Sequence, residues 1–287
     1  MYKKQLLCFF VLLIHILIFV CCCIGAVELN PNRGSFYIAH LKTAVIDGEL
    51  DEWQDQIPVY LNQTLQAKYV KQDWGGVSDC SAKFWWSWND LGIFIAAEIH
   101  DDSIAFPYTD NRLWANDCIQ FAFDIHNDNA QNCYQSDDHE FVVTLVDGQP
   151  CVYEYLYWQI QKSEFRPYTC QVQIKNDTIR YEAMIPWSGI DVESPPAGKH
   201  IGASLVVFDN DGQDYRGWLE WTAGITNKKF TLAFANILLF DLGLNALQTL
   251  VTRSFLSESD TLLIWVYSRY FRRKVSYRLL ENNFKIF

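Results

Sequence analysis

The sequence predicts an all-β fold, a β-sandwich or jelly roll of antiparallel strands, followed by a short C-terminal tail for which a helix is one alternative. Short apolar segments alternate with turn residues along most of the chain, and aromatic residues make up 16% of it. No amphipathic helical pattern of about ten residues or more precedes Asn236. Sandwiches and jelly rolls are built from many such short strands, each of which buries one face against a facing sheet.

The predicted strands begin with a hairpin over residues 82–99. Apolar side chains alternate along 82–88, the turn residues Asn89 and Asp90 come next, and the apolar segment 91–99 completes the pair. Further strands are predicted, in chain order, at 118–125, 140–146, 151–158, 169–174, 178–185 and 201–208. Each is bounded by Gly, Asn, Asp or Pro, which favour turns.

The first 26 residues have the pattern of an export signal. Lys3 and Lys4 precede an apolar run over 6–24, and the small residues Gly25 and Ala26 follow. The pattern predicts cleavage and an exported protein, whether secreted, periplasmic or at the cell surface. The apolar run is also long enough to span a bilayer, so an uncleaved anchor is the alternative and would be the contact with a membrane.

The rest of the chain divides into a lead-in, one large domain and a tail. Residues 27–42 form the lead-in, and 43–240 form the predicted sandwich domain. The tail, 241–287, lacks the strand-turn pattern and is basic between Arg269 and Lys274. Three alternatives are open for it: a small helical extension, the start of a second domain, or a C-terminus altered by a broken reading frame.

The predicted domain is strongly acidic. Residues 27–245 contain 14 Lys and Arg against 31 Asp and Glu, a net charge of −17. Such a surface repels polyphosphate, which argues against nucleic acid as a partner. Metal cations and neutral ligands remain compatible with it.

Five cysteines lie beyond the signal: Cys80, Cys118, Cys133, Cys151 and Cys170. In an exported domain this odd number permits at most two internal bridges and one free thiol, in a pairing that the sequence leaves open. None belongs to a CxxC pair, which disfavours a zinc site.

Residues 45–124 combine indole rings with short carboxylates. The six tryptophans of this segment are Trp53, Trp74, Trp85, Trp86, Trp88 and Trp114. Flat indole faces beside carboxylates suit a ligand that has apolar faces and hydroxyl edges, as sugars have. We expect most of these rings, including Trp86 and Trp88 within a strand, to belong to the core, and one or two to bind ligand.

Five motifs occur in the order found in family 9 carbohydrate-binding modules. They are VIDGELDEW, the hairpin DCSAKFWWSWNDLGIFIAAEIHD, LWANDCIQFAFD, RYEAMIPWSGI and AGKHIGASLVVFDNDGQDYRGWLEW. Over residues 43–239 the chain therefore resembles that family. The resemblance implies a β-sandwich, non-catalytic binding of glucans, xylans or their chain ends, and structural calcium.

The resemblance also implies where a sugar would bind. Trp114 in LWANDCIQ matches the aromatic residue that forms one wall of the family's sugar slot, and Gln120 occupies a position that is often acidic. Gln120 can still hydrogen-bond a hydroxyl, without the assistance of a charge. The second wall normally follows the strand that matches LEWTAGITNKKF. Either Trp218 or Trp221 supplies this second wall, or the slot lacks the two facing aromatic rings that the family normally has.

Asp209, Asp211 and Asp214, in DNDGQD, are the candidate metal ligands. Oxygen ligands at alternating positions around a glycine resemble a calcium loop, whereas a solvated hairpin turn is the alternative. A second oxygen-rich cluster is the segment DDHE at 137–140, for which an exposed loop is the alternative. We expect structural Ca²⁺ and neither haem nor nucleotide. Met184, which could otherwise ligate haem, is expected to be a core residue, and the sequence has no phosphate-binding loop.

These observations together predict a non-catalytic carbohydrate-binding domain, and an accessory role in carbohydrate catabolism if it acts with a glycoside hydrolase. Two alternatives remain. One is the extracytoplasmic input domain of a truncated signalling protein. The other is a glycoside hydrolase, which would need two carboxylates facing each other across the sugar slot. No motif such as GxSxG or HExxH singles out catalytic residues.

Overall fold

The structure is a computed structural model and is described here for most of the domain. The described residues are 35–70, 73–128, 133–155, 163–212, 214–226 and 228–241, together with the backbone of three strands in the tail. The predicted export signal and residues 27–34 of the predicted lead-in lie outside them. The chain divides into two units, residues 1–240 and residues 241–287.

The described part of the first unit is built from strands and three short 3-10 helices. The strands are β1 (Phe36–Leu41), β2 (Val59–Leu61), β3 (Cys80–Trp88), β4 (Gly92–Asp101), β5 (Cys118–Asp124), β6 (Asp138–Val146), β7 (Gln149–Tyr155), β8 (Glu164–Arg166), β9 (Cys170–Lys175), β10 (Thr178–Pro186), β11 (His200–Asn210), β12 (Tyr215–Glu220) and β13 (Ala235–Phe240). The 3-10 helices are Asp51–Trp53, Leu113–Ala115 and Trp187–Ile190. The predicted all-β class is confirmed.

These strands form one mixed sheet that folds over on itself. Their order is β8-β7-β6-β5-β11-β13-β1-β3-β4-β10-β9, with β12 paired to β11 and β2 paired to β3. β1 lies between β13 and β3 and is parallel to both. Three strands separate β5 from β3 in this order, yet the rings of Phe121 in β5 and Trp86 in β3 lie 5.6 Å apart. Two facing layers therefore enclose one core, as in a β-sandwich. We call β5–β8, β11 and β12 the β5 half, and β2–β4, β9 and β10 the β3 half.

Aromatic rings fill the core between the two halves. Trp86 packs edge-to-face on Phe121 and Phe123, and Phe84 packs in the same way on Trp221. The other fully buried indoles of the segment 45–124 are Trp53, Trp85 and Trp88. The expectation that most of these rings belong to the core is confirmed. Each large apolar side chain buried in this way contributes about 1.5–3 kcal/mol to stability.

A buried carboxylate explains the motif VIDGELDEW. Glu182 in β10 accepts hydrogen bonds from the backbone N–H groups of Asp47 (3.1 Å) and Gly48 (2.8 Å), and from Nε1 of Trp53 (2.8 Å). Gly48 has a φ of 89°, a conformation that favours glycine. Burial raises the pKa of Glu182 to about 7, although the three N–H donors oppose the rise. The motif thereby fastens the segment before β2 to β10.

The tail contains strands where a helix was one alternative. β14 (Leu262–Ser268) pairs antiparallel with β15 (Phe271–Leu280), and β15 pairs antiparallel with β16 (Asn283–Ile286). The helical alternative is wrong for these residues. The sequence LLIWVYS of β14 is rich in β-branched and aromatic residues, which fit an extended strand better than a helix.

The five cysteines beyond the signal are free thiols, so neither permitted bridge is formed among the described residues. Cys80 and Cys118 are buried, and burial raises the pKa of each thiol well above its usual range. Such thiols are poor nucleophiles because the thiolate is the reactive form. Within the described residues, no helix combines the length and the apolar character that crossing a membrane requires.

Candidate functional site

A groove of about 200 Å³ opens on the outer face of the β5 half, over β5, β11 and β12. Its described lining residues are Trp114, Gln120, Phe208, Tyr215, Trp218, Ile225, Thr226 and Lys229. We call it the Trp114 groove. Pockets for drug-sized ligands measure about 300–1,000 Å³, so this one suits a smaller molecule.

Trp114 forms the accessible wall of the groove. It lies in a single 3-10 turn between Leu113 and Ala115, whose buried side chains fix the turn to the sheet. The indole is partly buried, and its ring packs edge-to-face with Phe208 (centroids 5.4 Å apart) and Tyr215 (5.1 Å). These contacts hold the ring in place while part of its surface stays open to a ligand, as stacking requires.

A buried carboxylate organises the polar side of the groove. Glu140, on β6, accepts a hydrogen bond from Nε2 of Gln120, and its two oxygens lie 2.7 and 2.8 Å from Nζ of Lys229. Because Nε2 of Gln120 is engaged in this way, Oε1 of that amide is the atom that can accept a hydrogen bond from a ligand. Lys229 supplies N–H donors on the same side. The groove therefore offers an acceptor and a donor beside the indole.

The two tryptophans predicted for a second wall lie on opposite faces of the sheet. Trp218 in β12 lines the groove and packs on Phe208 at 5.8 Å, although only 6% of its surface is exposed. Trp221 is 4% exposed and lies in the core, with its ring 5.3 Å from that of Phe84. Residues three positions apart in an extended segment project to opposite faces. The prediction that Trp221 contacts ligand is corrected for this reason.

Sequence reasoning missed Tyr215 and Lys229 as lining residues of the groove, and Glu140 as the buried partner of Lys229. Tyr215 places a second, partly buried ring beside Trp114. Its aromatic character within DGQDYRGW was the available signal, but the turn that brings it to Trp114 cannot be read from local sequence. Nothing in the pattern of charges marked Lys229 and Glu140 as a pair, because 89 residues separate them.

Three buried carboxylates meet where β4, β5 and β11 come together. Asp101 ends β4, Asp117 precedes β5 and Asp209 lies in β11, and one carboxylate oxygen from each lies within 4.8 Å of the others. Burial raises the pKa of Asp101 to about 6 and that of Asp209 to about 7, and repulsion from neighbouring aspartates adds to both rises. Oδ2 of Asp101 accepts no hydrogen bond from any described residue. Calcium prefers oxygen ligands of this kind, so these residues, which we call the Asp101 cluster, fit a structural Ca²⁺.

The structure divides the three residues of the predicted calcium loop, whose metal binding stays a prediction. Asp209 belongs to the Asp101 cluster, but Asp211 accepts a hydrogen bond from Nε of Arg216 (2.6 Å), and Asp214 accepts one from the hydroxyl of Tyr108 (3.3 Å). The reason is local, because Asp209 lies within β11, whereas Asp211 and Asp214 lie in the turn that follows it. A hairpin turn and a calcium ligand stay the two alternatives for Asp211, whose charge contributes to the raised pKa of Asp101 and of Asp209.

The segment 137–140 is also divided between different surroundings. Asp137 and Asp138 join Asp124 in a second acidic cluster, with carboxylate oxygens within 4.8 Å of one another. Burial raises the pKa of Asp138 to about 7. His139 is hydrogen-bonded through Nδ1 to Glu154, and Glu140 pairs with Lys229, which lines the Trp114 groove. The alternative of an ordinary exposed loop is wrong for Asp138, His139 and Glu140, which are buried.

Comparison with known proteins supplies a family and a fold. A family model described as "Carbohydrate family 9 binding domain-like" matches residues 46–240. The chain is similar to a carbohydrate binding module family 9 (CBM9) from Caldicellulosiruptor kristjanssonii solved in complex with glucose, at 19% identity and a TM-score of 0.54, covering 72% of this chain and 96% of that one. The corresponding values for the complex with cellotriose are 20%, 0.55, 74% and 97%, and at these identities the likeness shows the fold. No curated protein matches the chain.

Proposed function

The chain belongs to the carbohydrate family 9 binding domain-like family, and from this premise we propose that the Trp114 groove binds carbohydrate without altering it. The observation that carries the proposal is the partly exposed indole of Trp114 beside the polar side chains of Gln120 and Lys229. The indole would stack on the C–H face of a sugar ring, while the amide and the ammonium group hydrogen-bond hydroxyls at the edge of that ring.

The charges around the groove favour a neutral sugar. The ammonium group of Lys229 is balanced by the carboxylate of Glu140, and Gln120 is uncharged. The surrounding domain is strongly negative, which disfavours uronic acids as well as nucleic acid. Glucan and xylan oligosaccharides meet these requirements. The groove volume of about 200 Å³ suits one sugar unit at its centre.

We propose a structural role for calcium at the Asp101 cluster. Asp101 belongs to the β3 half, whereas Asp117 and Asp209 belong to the β5 half. An ion held by all three would therefore tie the two layers together and offset the repulsion between their carboxylates. Neither haem nor nucleotide has a part in the proposal.

We propose that the protein acts outside the cytoplasm, because its first 26 residues have the composition of an export signal. An uncleaved signal would be its contact with a membrane. In this setting the domain would hold a glycoside hydrolase near its polymer, as an accessory to catabolism. A sensory input domain would use the same groove, and the binding experiments below apply equally to it.

Retention on insoluble polysaccharide tests the proposal directly. The purified protein is mixed with cellulose and with xylan, the pellet is washed, and the bound fraction is measured. A glycan array then measures which saccharides the protein prefers. We expect retention that soluble oligosaccharide reverses. The same preparation is incubated with aryl glycosides and oligosaccharides, and release of product would contradict non-catalytic binding in favour of a glycosidase.

Trp221→Phe tests whether Trp221 contributes to stability rather than to sugar binding. The smaller ring leaves a space beside Phe84, and we expect a loss of about 1 kcal/mol in the free energy of unfolding. Sugar affinity should not change, because Trp221 does not line the groove. Chemical denaturation and calorimetric titration with oligosaccharide measure the two quantities. A loss of sugar affinity without a loss of stability would show instead that Trp221 contacts the ligand.

A further inference from the structure

A row of side chains crosses the β5 half on the same face as the Trp114 groove. Strand pairing places five residues side by side: Val206, Gln120, Val142, Tyr153 and Phe165. Directly opposed residues in antiparallel strands project to the same face, so Phe165 shares a face with Gln120. Three strand spacings, about 14 Å, separate them.

Phe165 ends this row as an exposed ring on β8, the edge strand of the β5 half. It is 53% exposed, and its ring lies 4.9 Å from that of Tyr153, which in turn lies 5.1 Å from Tyr155. The Tyr155 hydroxyl accepts a hydrogen bond from the backbone N–H of Trp114 (3.3 Å). Single exposed apolar residues are common and need no explanation. Phe165 differs because a continuous series of aromatic residues joins it to the wall of the groove.

Polar side chains accompany this aromatic series. Asp110 and Arg112 form an exposed ion pair at 2.8 Å in the loop that leads into Trp114. The Tyr155 hydroxyl donates a hydrogen bond to the backbone carbonyl of Asn111 (3.0 Å), which places this loop beside the aromatic series.

Tyr153 and Tyr155 are only 8% and 6% exposed, so they support the surface from below, and the accessible rings are those of Trp114 and Phe165. Two accessible rings with charged hydrogen-bonding groups nearby are the combination that a chain of sugar units requires.

We propose that Phe165 is a second stacking platform, which binds a distal sugar unit of the same oligosaccharide that the Trp114 groove holds. This inference rests on the proposed function of the groove and deepens it. It names the ligand as a saccharide chain long enough to extend about 14 Å beyond the first contact, rather than a single sugar. The two platforms act together because binding at one raises the effective concentration of the chain at the other.

Titration calorimetry with glucose and with cellohexaose, on the native protein and on Phe165→Ala, tests this inference. Xylose and xylohexaose form a second pair of ligands. We expect the native protein to bind the hexaose more tightly than the monosaccharide. Phe165→Ala should lower affinity for the hexaose by about threefold to tenfold and leave affinity for the monosaccharide unchanged. An unchanged affinity for the monosaccharide would also show that the Phe165→Ala protein is folded.

Tyr60→Ala is the matched control, since Tyr60 is 55% exposed and lies on β2 in the other half of the sandwich. It should change neither affinity. Equal affinity of the native protein for both chain lengths, or an unaltered hexaose affinity in Phe165→Ala, would overturn the second platform while leaving the groove intact. Absence of binding to every saccharide would overturn the proposed function and this inference with it.

Discussion

Replacing Trp114 by alanine is expected to lower affinity for oligosaccharide by about tenfold or more and to abolish retention on polysaccharide. The indole is the accessible stacking surface of the groove, and aromatic stacking contributes about 0.5–1.5 kcal/mol beyond the apolar area that it buries. Its removal also withdraws the edge-to-face contacts that hold Tyr215 in place. The first loss falls on the bound state and the second loosens the neighbouring ring, so the effect should be large in calorimetric titration and in pull-down.

Trp114→Phe and thermal unfolding are the controls for this result. Phenylalanine keeps an aromatic face and should recover part of the affinity. Trp114→Ala also loses the packing on Phe208 and Tyr215, so its melting temperature should fall, but Leu113 and Ala115 still fix the 3-10 turn and a single cooperative unfolding transition should remain. Full retention by a folded Trp114→Ala protein would remove the physical basis for sugar binding in this groove.

Calcium is expected to raise the melting temperature at about pH 7.5 by roughly 5–10 °C, and a chelator to reverse the gain. Saturation at about 100 times the dissociation constant contributes about 2.7 kcal/mol, and in a domain of this size each kcal/mol corresponds to about 2–4 °C. The three carboxylates of the Asp101 cluster repel one another when ionised, and a bound cation would offset that repulsion. Scanning calorimetry with and without added Ca²⁺ measures the effect.

The same cluster predicts how stability depends on pH when no cation is bound. The folded-state pKa of Asp101 is about 6 and that of Asp209 is about 7, both above the ordinary value of 3.8. A carboxyl whose pKa is raised by folding is stabilising while it is protonated, and that stability is lost as pH rises through the folded value. The metal-free protein should therefore lose stability between about pH 4 and pH 7, and the benefit of calcium should disappear at the acidic end.

Asp101→Asn and Asp55→Asn distinguish the cluster from an exposed aspartate. Asp101→Asn removes one buried charge, so the metal-free protein should become less sensitive to pH and its response to calcium should weaken. Asp55 is exposed, ion-paired with Lys42 and outside the cluster, so its variant should keep the full calcium response. Identical melting temperatures with calcium and with chelator at neutral pH would contradict a structural ion there.

The fold class could be predicted from the local sequence, because strands are recognised by the alternation of apolar and polar residues over a few neighbouring positions. The hairpin of β3 and β4 is an example, since its strands and its turn lie within 82–99. Trp114 could be placed at the groove because a ring just before a strand lies at its rim. Trp221 was misplaced because its face depends on the parity of its position in an extended segment, which the sequence motif does not reveal.

The polar parts of the site could not be found in this way. The Asp101 cluster draws on three strands that are distant in sequence, so no local spacing marks it. The pairing of Glu140 with Lys229, which sets the chemistry of the groove, depends on the sheet bringing β6 beside the loop after β12. By contrast, the oxygen-rich run at 209–214 is visible in the sequence, but turn residues and calcium ligands are drawn from the same amino acids, so the pattern alone does not distinguish them.

The placement of β1 between β13 and β3 has a kinetic consequence. β1 begins at Phe36, and its partner β13 ends at Phe240, so the strand pairing that joins the two halves cannot form until nearly the whole domain has been synthesised. Contacts of such long sequence separation make folding slow, and the unpaired strand edges are open to aggregation meanwhile. We therefore expect the domain to refold slowly and aggregation to compete with refolding until its last strand is in place.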